Sequence, residues 1–188
     1  MSIFSRDRFG ATMRSLKLSA IFLALNSGPA RAELPIGQPP PAVELVGGLG
    51  GRLDGATWSS AEIKDKVYTL FYVDPDEKDL NDDAAQALKK ENFDLAKYGS
   101  IAIINMAATW APNFLIQSNL EKKQKEFVNT TYVKDLKKTI VDKWKIADDS
   151  SDVMAFDRVG KIIFSKDGKL SAEDIAKLIA AIRANIGE

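Results

Sequence analysis

The sequence predicts an α/β domain built on a mixed β-sheet, and two observations support this prediction. From residue 67 onward, short apolar runs alternate with longer segments of helical periodicity, an order typical of α/β domains. The chain then closes with two short apolar runs, a tight turn between them and one more helical segment. This ending predicts a β-hairpin followed by a C-terminal helix. A length of 188 residues is that of one domain.

The predicted domain begins with little regular structure. Residues 33–42 are rich in proline and predict an extended segment, and the glycines of residues 47–51 predict a turn. Trp58, Ser59 and Ser60 predict a short capped helical turn. Residues 67–73 (VYTLFYV) form a continuous apolar run, which is typical of a strand covered on both faces.

A helix, a second buried strand and a second helix are predicted after the first strand. Residues 74–83 interrupt the apolar run, and a helix is predicted from there to about Lys97. A second buried strand follows at residues 101–106, and Pro112 suits the first turn of a second helix. The apolar faces of the two helices are Ala84, Leu88 and Leu95 and, in the second, Leu115, Ile116, Leu120 and Phe127.

The last third of the chain predicts a strand, a helix, a hairpin and a final helix. The third strand is predicted at residues 131–134, and the hairpin strands at 153–156 and 161–164. Ser171 and Asp174 have the spacing of a capping box, and Gly187 ends the final helix. The apolar faces are Leu136, Ile140, Val141 and Trp144 in the third helix and Ile175, Leu178, Ile179, Ile182 and Ile186 in the last.

The composition excludes several kinds of chemistry. The chain contains no cysteine and no histidine, so it has no disulfide, no thiol nucleophile, no zinc finger and no Ser-His-Asp triad. Thiol–disulfide and peroxidase activities are therefore excluded, and the sequence leans against an enzyme. The 26 basic and 26 acidic residues balance, which argues against a nucleic-acid binder that neutralises phosphates. No cofactor is expected.

The first 32 residues have the three parts of a secretory signal. Basic residues precede a short apolar run at residues 18–25, and Ala30-Arg31-Ala32 provides the small-x-small cleavage pattern. This leader holds five of the basic residues and one acidic residue, so residues 33–188 have a net charge of about −4. We expect export to a Gram-negative periplasm, because small eukaryotic secreted domains usually carry disulfides. No membrane anchor is expected after cleavage.

Several short motifs, taken in order, resemble one family. They are Trp58-Ser59-Ser60-Ala61 with Lys66-Val67, Ser150-Ser151 after Asp148-Asp149, Asp157 with Gly160, and Lys166-Asp167-Gly168-Lys169-Leu170. Their order resembles the exported peroxiredoxin/TlpA-like branch of thioredoxin-like domains and, within it, the YtfJ family of small periplasmic proteins. The resemblance implies a thioredoxin-like fold over residues 33–188 and a periplasmic location, and it implies no defined activity.

The resemblance also indicates where reactive cysteines would stand. In thioredoxin-like folds they lie between the first central strand and its helix, and residues 74–79 here read DPDEKD. The family's cis-proline position corresponds to residues 151–153, which contain no proline. A rival alignment places the cysteine positions at Ala111 and Phe114, because residues 108–114 (ATWAPNF) are similar to the ATWCPPC signature. We favour the first alignment, since it accounts for the lead-in and for the extra helix and strand.

The acidic loop at residues 74–83 raises two further hypotheses. Asp74, Asp76 and Asp79 are weak candidates for a cation site, because calcium prefers oxygen ligands, although the spacing fails the EF-hand pattern. Acids at a helix N-terminus, where the helix dipole favours them, are the simpler explanation. Asp74, Asp76 and Asp152 could also converge for acid–base work, but such a residue needs a pocket that raises its pKa.

The sequence thus predicts a redox-inactive thioredoxin-like protein of the periplasm that binds a protein or peptide partner. The alternatives are a metal-binding or carboxylate-based enzyme using residues 74–83, and a structural protein with no retained site. Trp110 and Trp144 lie at strand–helix junctions, where they either pack in the core or face a partner. The predicted binding surface consists of Asp74, Pro75, Asp76, Glu77, Trp110, Ser151, Asp152 and Val153.

Overall fold

The computed structural model describes residues 33–187, so the predicted signal segment lies outside the described residues. None of the helices in that range has both the length and the apolar character needed to span a membrane. The strands are β1 (Glu44–Leu45), β2 (Gly50–Arg52), β3 (Trp58–Ser59), β4 (Val67–Val73), β5 (Tyr98–Asn105), β6 (Thr130–Asp135), β7 (Ser151–Phe156) and β8 (Ile162–Lys166). The helices are α1 (Asp82–Glu91), α2 (Asn113–Glu126), α3 (Thr139–Trp144) and α4 (Ala172–Ile186).

A six-stranded mixed sheet forms the centre of the fold, in the order β2-β6-β5-β4-β7-β8. The strands β4, β5 and β6 are parallel, whereas β7 is antiparallel to β4 and β8 is antiparallel to β7. This arrangement confirms the predicted α/β fold with a mixed sheet, a closing hairpin and a C-terminal helix. Because β7 begins opposite the end of β4, the carboxyl ends of the three parallel strands lie at the same edge as the start of β7.

The two faces of the sheet bury two different cores. One face packs against α3 and the N-terminal segment, and the other packs against α1, α4 and α2. A fully buried side chain of the size of leucine or phenylalanine contributes roughly 1.5–3 kcal/mol to folding. The first core includes Leu45, Trp58, Leu70, Trp144 and Phe156; the second includes Val67, Leu88, Leu178 and Ile182; Ile116 and Leu120 of α2 pack on Ile104 and Tyr132.

The proline-rich N-terminal segment follows the outer side of β8. The Gly37 amide donates to the Ile162 carbonyl at 2.8 Å, and the Ile162 amide donates to the Gln38 carbonyl at 3.0 Å. Trp144 Nε1 donates to the Pro41 carbonyl at 2.7 Å. The predicted core position of Trp144 is therefore confirmed, and its indole also holds the N-terminal segment in place.

The turn predicted at residues 47–51 is only partly correct, because Gly50 and Gly51 belong to strand β2 and pair with Asp135 and Lys134 of β6. Gly50 has φ +130°, and a Cβ at this position would lie 1.9 Å from the Lys134 carbonyl oxygen. Only glycine therefore permits this close approach of two backbones. Gly50 and Gly51, which suggested a loop, instead allow β2 to pair with β6.

Two helix boundaries differ from the prediction because non-glycine residues adopt the left-handed conformation. α1 ends at Glu91 and not near Lys97, since Asn92 has φ +50°, and β5 starts at Tyr98. α3 begins only at Thr139, after Lys138 at φ +57°. The capping box of α4 is confirmed: Ser171 and Asp174 exchange side-chain and backbone hydrogen bonds.

Candidate functional site

The loop at residues 74–77 lies at the sheet edge where β7 begins. It follows the central strand β4 and forms a 3₁₀ turn over Pro75–Glu77, which Asp74 caps by accepting from the Asp76 amide at 2.8 Å. The Asp74 amide donates to the Ser150 carbonyl at 2.9 Å. The junction after β4, and not the junction after β5, is therefore joined directly to the start of β7, as the favoured alignment requires.

The segment before α2 approaches the same edge from the side. Thr109 Oγ1 donates to Asp76 Oδ1 at 3.1 Å, so the two junctions considered in the sequence are neighbours. Trp110 is fully exposed, and Phe114 and Leu115 are 70% and 49% exposed. We call these three residues the Trp110 patch. The core position considered for Trp110 is thus wrong, because no element within residues 33–187 covers its ring.

The structure buries half of the predicted binding surface. Ser151, Asp152 and Val153 are the first residues of β7, and all three are buried. Asp74 is buried as well, whereas Asp76 and Glu77 are exposed. A partner can therefore reach Asp76, Glu77 and Trp110 directly, but it cannot reach the side chains of residues 151–153.

Asp152 is a buried carboxyl without a full set of hydrogen bonds. Its residue exposure is 2%, and its Oδ2 atom has no hydrogen-bond partner among the described residues. Burial, and to a smaller extent the nearby charge of Asp167, raise the pKa of Asp152 to about 8, against the opposing hydrogen bond from the Ala147 amide. The carboxyl is therefore largely neutral at pH 7. The carboxylate that acts on it is Asp167, not Asp74 or Asp76. Asp152 also does not line the cavity of about 750 Å³ that lies between α1, α2 and the sheet.

A polar cluster, which sequence reasoning missed, lies beneath α3 at the same edge. Tyr72 Oη donates to Asp135 Oδ2 at 3.2 Å, and burial followed by the Asp135 charge raises the pKa of Tyr72. Asn105 Nδ2 donates to Asp148 Oδ1 at 2.9 Å. A signal for this cluster was present, because Asn105 and Asp135 each end a parallel strand. Polar residues at the carboxyl ends of parallel strands meet at one edge.

Asn81 is a second residue that sequence reasoning missed. Its Nδ2 donates to the Ser151 carbonyl, the Ser151 hydroxyl and the Gly168 carbonyl at 3.0–3.3 Å, and its Oδ1 accepts from the Leu170 amide at 2.9 Å. The side chain is buried. Asn81 thereby joins the start of α1 to the start of β7 and to the β8–α4 connection.

We expect Asn81→Ala to lower the free energy of unfolding by roughly 2–3 kcal/mol, because it leaves several buried polar groups without partners. Urea unfolding followed by circular dichroism measures the change. Asn113→Ala, in the exposed first turn of α2, is the matched control and should change stability by less than about 0.5 kcal/mol. Equal effects of the two substitutions would show that the Asn81 contacts contribute nothing.

The acidic loop does not assemble a metal site. Among residues 33–187 no group of three carboxylates is placed so that it could hold a metal ion. Asp74 caps the turn, Asp76 accepts from Thr109, and Asp79 pairs with Lys78 at 2.7 Å. The carboxylates of the weak cation candidates thus each serve a local partner instead of converging.

The fold and the sequence are both similar to known proteins. An uncharacterised Haemophilus influenzae protein is 27% identical over 128 residues, covering 66% of this chain and 70% of the relative. The uncharacterised protein YtfJ of Escherichia coli is 25% identical over 126 residues, covering 65% and 68%. A Bacteroides thetaiotaomicron structure, provisionally identified as a protein disulfide isomerase, superposes with a TM-score of 0.59 at 18% identity, covering 82% of this chain and 92% of that one. This likeness shows that the fold is thioredoxin-like.

A family model also matches the chain. It spans residues 50–185, from the edge strand β2 to the last turn of α4. The match therefore includes the loop after β4, the Trp110 patch and the polar cluster. The chain belongs to the family described as bacterial protein of unknown function (YtfJ_HI0045).

Proposed function

We propose that this protein is a redox-inactive thioredoxin-like module of the periplasm that binds a protein or peptide partner through the Trp110 patch. The observation that supports the proposal is the fully exposed indole of Trp110 beside the loop that stands where relatives of this fold carry their cysteines. The chain itself has no cysteine, so it cannot exchange disulfides with a bound partner. In this proposal the thioredoxin-like fold supplies the binding surface and does not carry out disulfide exchange.

The chemistry of the Trp110 patch suits protein recognition. Tryptophan and other aromatic side chains bury 150–250 Å² each and dominate interface energetics. Trp110 lies two residues before Pro112, the N-cap of α2, and Phe114 is the second residue of the helix. The exposed acids Asp76 and Glu77 adjoin them through the Thr109 contact. We expect a partner that offers an apolar pocket flanked by basic residues.

Site-specific cross-linking tests this proposal. A photo-reactive phenylalanine analogue placed at Trp110 in the full chain, expressed in its own cells, is expected to give one reproducible adduct of higher mass upon illumination. Mass spectrometry of the adduct identifies the partner. Phe114 is the second aromatic residue of the Trp110 patch. Phe114→Ser in the same chain should therefore reduce the yield of the adduct by roughly tenfold, as expected for the loss of one hot-spot contact.

The matched control places the same analogue at Val159, which is 71% exposed in the β7–β8 turn at the opposite edge of the sheet. No adduct is expected there. An identical set of adducts at both positions, or none at Trp110, would contradict partner binding at the patch. Fractionation of the same cells tests the periplasmic location, since the adduct and the free protein should both appear in the osmotic-shock fraction.

A further inference from the structure

A cavity of about 750 Å³ lies between α1, α2 and the sheet. Protein interiors are close-packed and contain few voids larger than a water molecule, whereas small-molecule sites measure about 300–1,000 Å³. The cavity is on the face opposite to the polar cluster, and Leu88, Ile104, Ile116 and Leu120 are among its apolar lining residues. Its size and mainly apolar lining fall within the range of small-molecule sites.

Alternating residues of β5 form part of the cavity floor. Tyr98, Ser100, Ala102 and Ile104 share one face of the strand and line the cavity in that order. The two middle residues are small, so they leave a hollow between the larger side chains at the ends. The six steps from Tyr98 to Ile104 span about 20 Å at roughly 3.3 Å each. A cavity of about 750 Å³ over this strand has room for an extended aliphatic chain.

Charged residues of both signs line the cavity: Lys78, Lys89, Lys122 and Lys123, and Asp76, Asp82 and Glu126. Lys89 of α1 directs its amine towards the Phe127 ring, 4.9 Å from the centroid, and donates to the Glu126 backbone carbonyl and not to a carboxylate. Lys122 also lines the cavity, and no carboxylate lies within ion-pair distance of it among residues 33–187. By contrast, Lys123 pairs with Asp82 at 3.0 Å. Of the four lining lysines, Lys89 and Lys122 are the two without an ion pair among residues 33–187, so their amines are the ones free to meet an anionic group.

We propose that this cavity binds a long-chain fatty acid, with the aliphatic chain along β5 and the carboxylate between Lys89 and Lys122. The apolar floor removes the aliphatic chain of the fatty acid from water, and the amines of Lys89 and Lys122 complement its carboxylate. The cavity shares Leu115 with the Trp110 patch, but Trp110 and Phe114 do not line it. The substitutions that test laurate binding therefore leave the two exposed aromatic side chains of the patch in place.

Isothermal titration of the full chain with laurate, below the concentration at which laurate aggregates, tests the proposal. Saturable binding of one laurate per chain is expected. Ala102→Leu fills the hollow from its floor and should weaken binding at least about tenfold, the scale of a misfit in an apolar pocket. Ala176→Leu makes the same exchange on the exposed side of α4 and should bind laurate like the unmodified protein.

The head group is tested by replacing both free lysines. Lys89→Gln with Lys122→Gln is expected to weaken laurate binding roughly 3–10-fold at low salt, as two exposed charge contacts allow, and to leave binding of dodecan-1-ol unchanged. If Ala102→Leu lowers the melting temperature markedly, Ser100→Leu serves as the second filling variant. Any of three results would overturn the proposal: no saturable laurate binding, laurate binding that neither filling variant weakens, or a concentration-dependent dimer that Ala102→Leu abolishes.

Discussion

Asp152→Asn is expected to make the protein more stable than the unmodified chain at pH 8, by roughly 2–5 kcal/mol, and equally stable near pH 4. The reason is the buried carboxyl of Asp152, whose pKa burial raises from 3.8 to about 8 in the folded protein. Asparagine has the same shape and no charge. It therefore keeps the packing of the neutral carboxyl and avoids the buried anion.

The direction of the effect follows from proton linkage. Between about pH 4 and pH 8 the folded protein holds a proton on Asp152 that the unfolded chain has released. The contribution of Asp152 to the free energy of unfolding must then fall as the pH rises through this window, by at most about 1.4 kcal/mol per pH unit. Asp74 has a pKa raised by burial too, but it is present in both proteins and cancels in the difference.

Urea unfolding at pH 4, 5, 6, 7 and 8 measures the difference between Asp152→Asn and the unmodified protein. The difference should grow steadily with pH. Asp149→Asn, a change at an exposed neighbouring acid, provides the control, and its difference should stay within about 0.5 kcal/mol throughout. Parallel stability curves for Asp152→Asn and the unmodified protein would show that Asp152 titrates normally in the fold.

Asp135→Ala is expected to lower the free energy of unfolding by roughly 3–5 kcal/mol. The Asp135 side chain is completely buried and accepts from the amides of Lys137, Thr139 and Ile140 at 2.8–3.1 Å, as well as from Tyr72 Oη. One carboxylate thus satisfies the amides that begin α3 and anchors the helix to β6. Its loss leaves four donors unsatisfied, three of them in the backbone.

Two companion variants separate these contacts in the same urea experiment. Tyr72→Phe removes only the hydroxyl donor and is expected to cost about 1 kcal/mol. Asp135→Asn keeps one acceptor oxygen, so it should be destabilised by less than the alanine variant and remains measurable if Asp135→Ala does not fold. Asp142→Asn, at an exposed acid of α3, is the surface control. If Asp135→Ala cost no more than Tyr72→Phe, the amide contacts would not stabilise α3.

The sequence predicted the parts of the fold that hydrophobic pattern determines. The run at residues 67–73 is continuous because β4 is central and buried on both faces, and the α4 periodicity reflects one helix face on the sheet. Asn92 and Lys138 end or delay helices by adopting a left-handed conformation that glycine normally signals. Asparagine is a recognised residue type at such a helix end, so Asn92 carried a signal that the hydrophobic pattern did not use. Lysine carries no such signal, and tertiary contacts decide the boundary at Lys138.

The candidate site was predictable in position but not in exposure. The order of the motifs located the loop at residues 74–77 beside the start of β7, which the hydrogen bond from Asp74 to Ser150 confirms. Residues 151–153 were expected at a surface, but they are buried because α1, through Asn81, and the β8–α4 connection cover them. Pattern analysis of one chain cannot show which of two polar segments lies on top of the other.

The two outer strands of the sheet also affect how this protein behaves at high concentration. Open strand edges are templates for pairing with other chains. At one end, β2 has only three residues, and Gly50 and Gly51 hold conformations that an incoming flat strand does not match. At the other end, residues 37–38 occupy the edge of β8, and Pro39, Pro40 and Pro41, which follow, have no amide hydrogen to donate. Both edge strands are therefore poor templates for pairing with another chain. This protects a domain without disulfides from aggregation through its sheet.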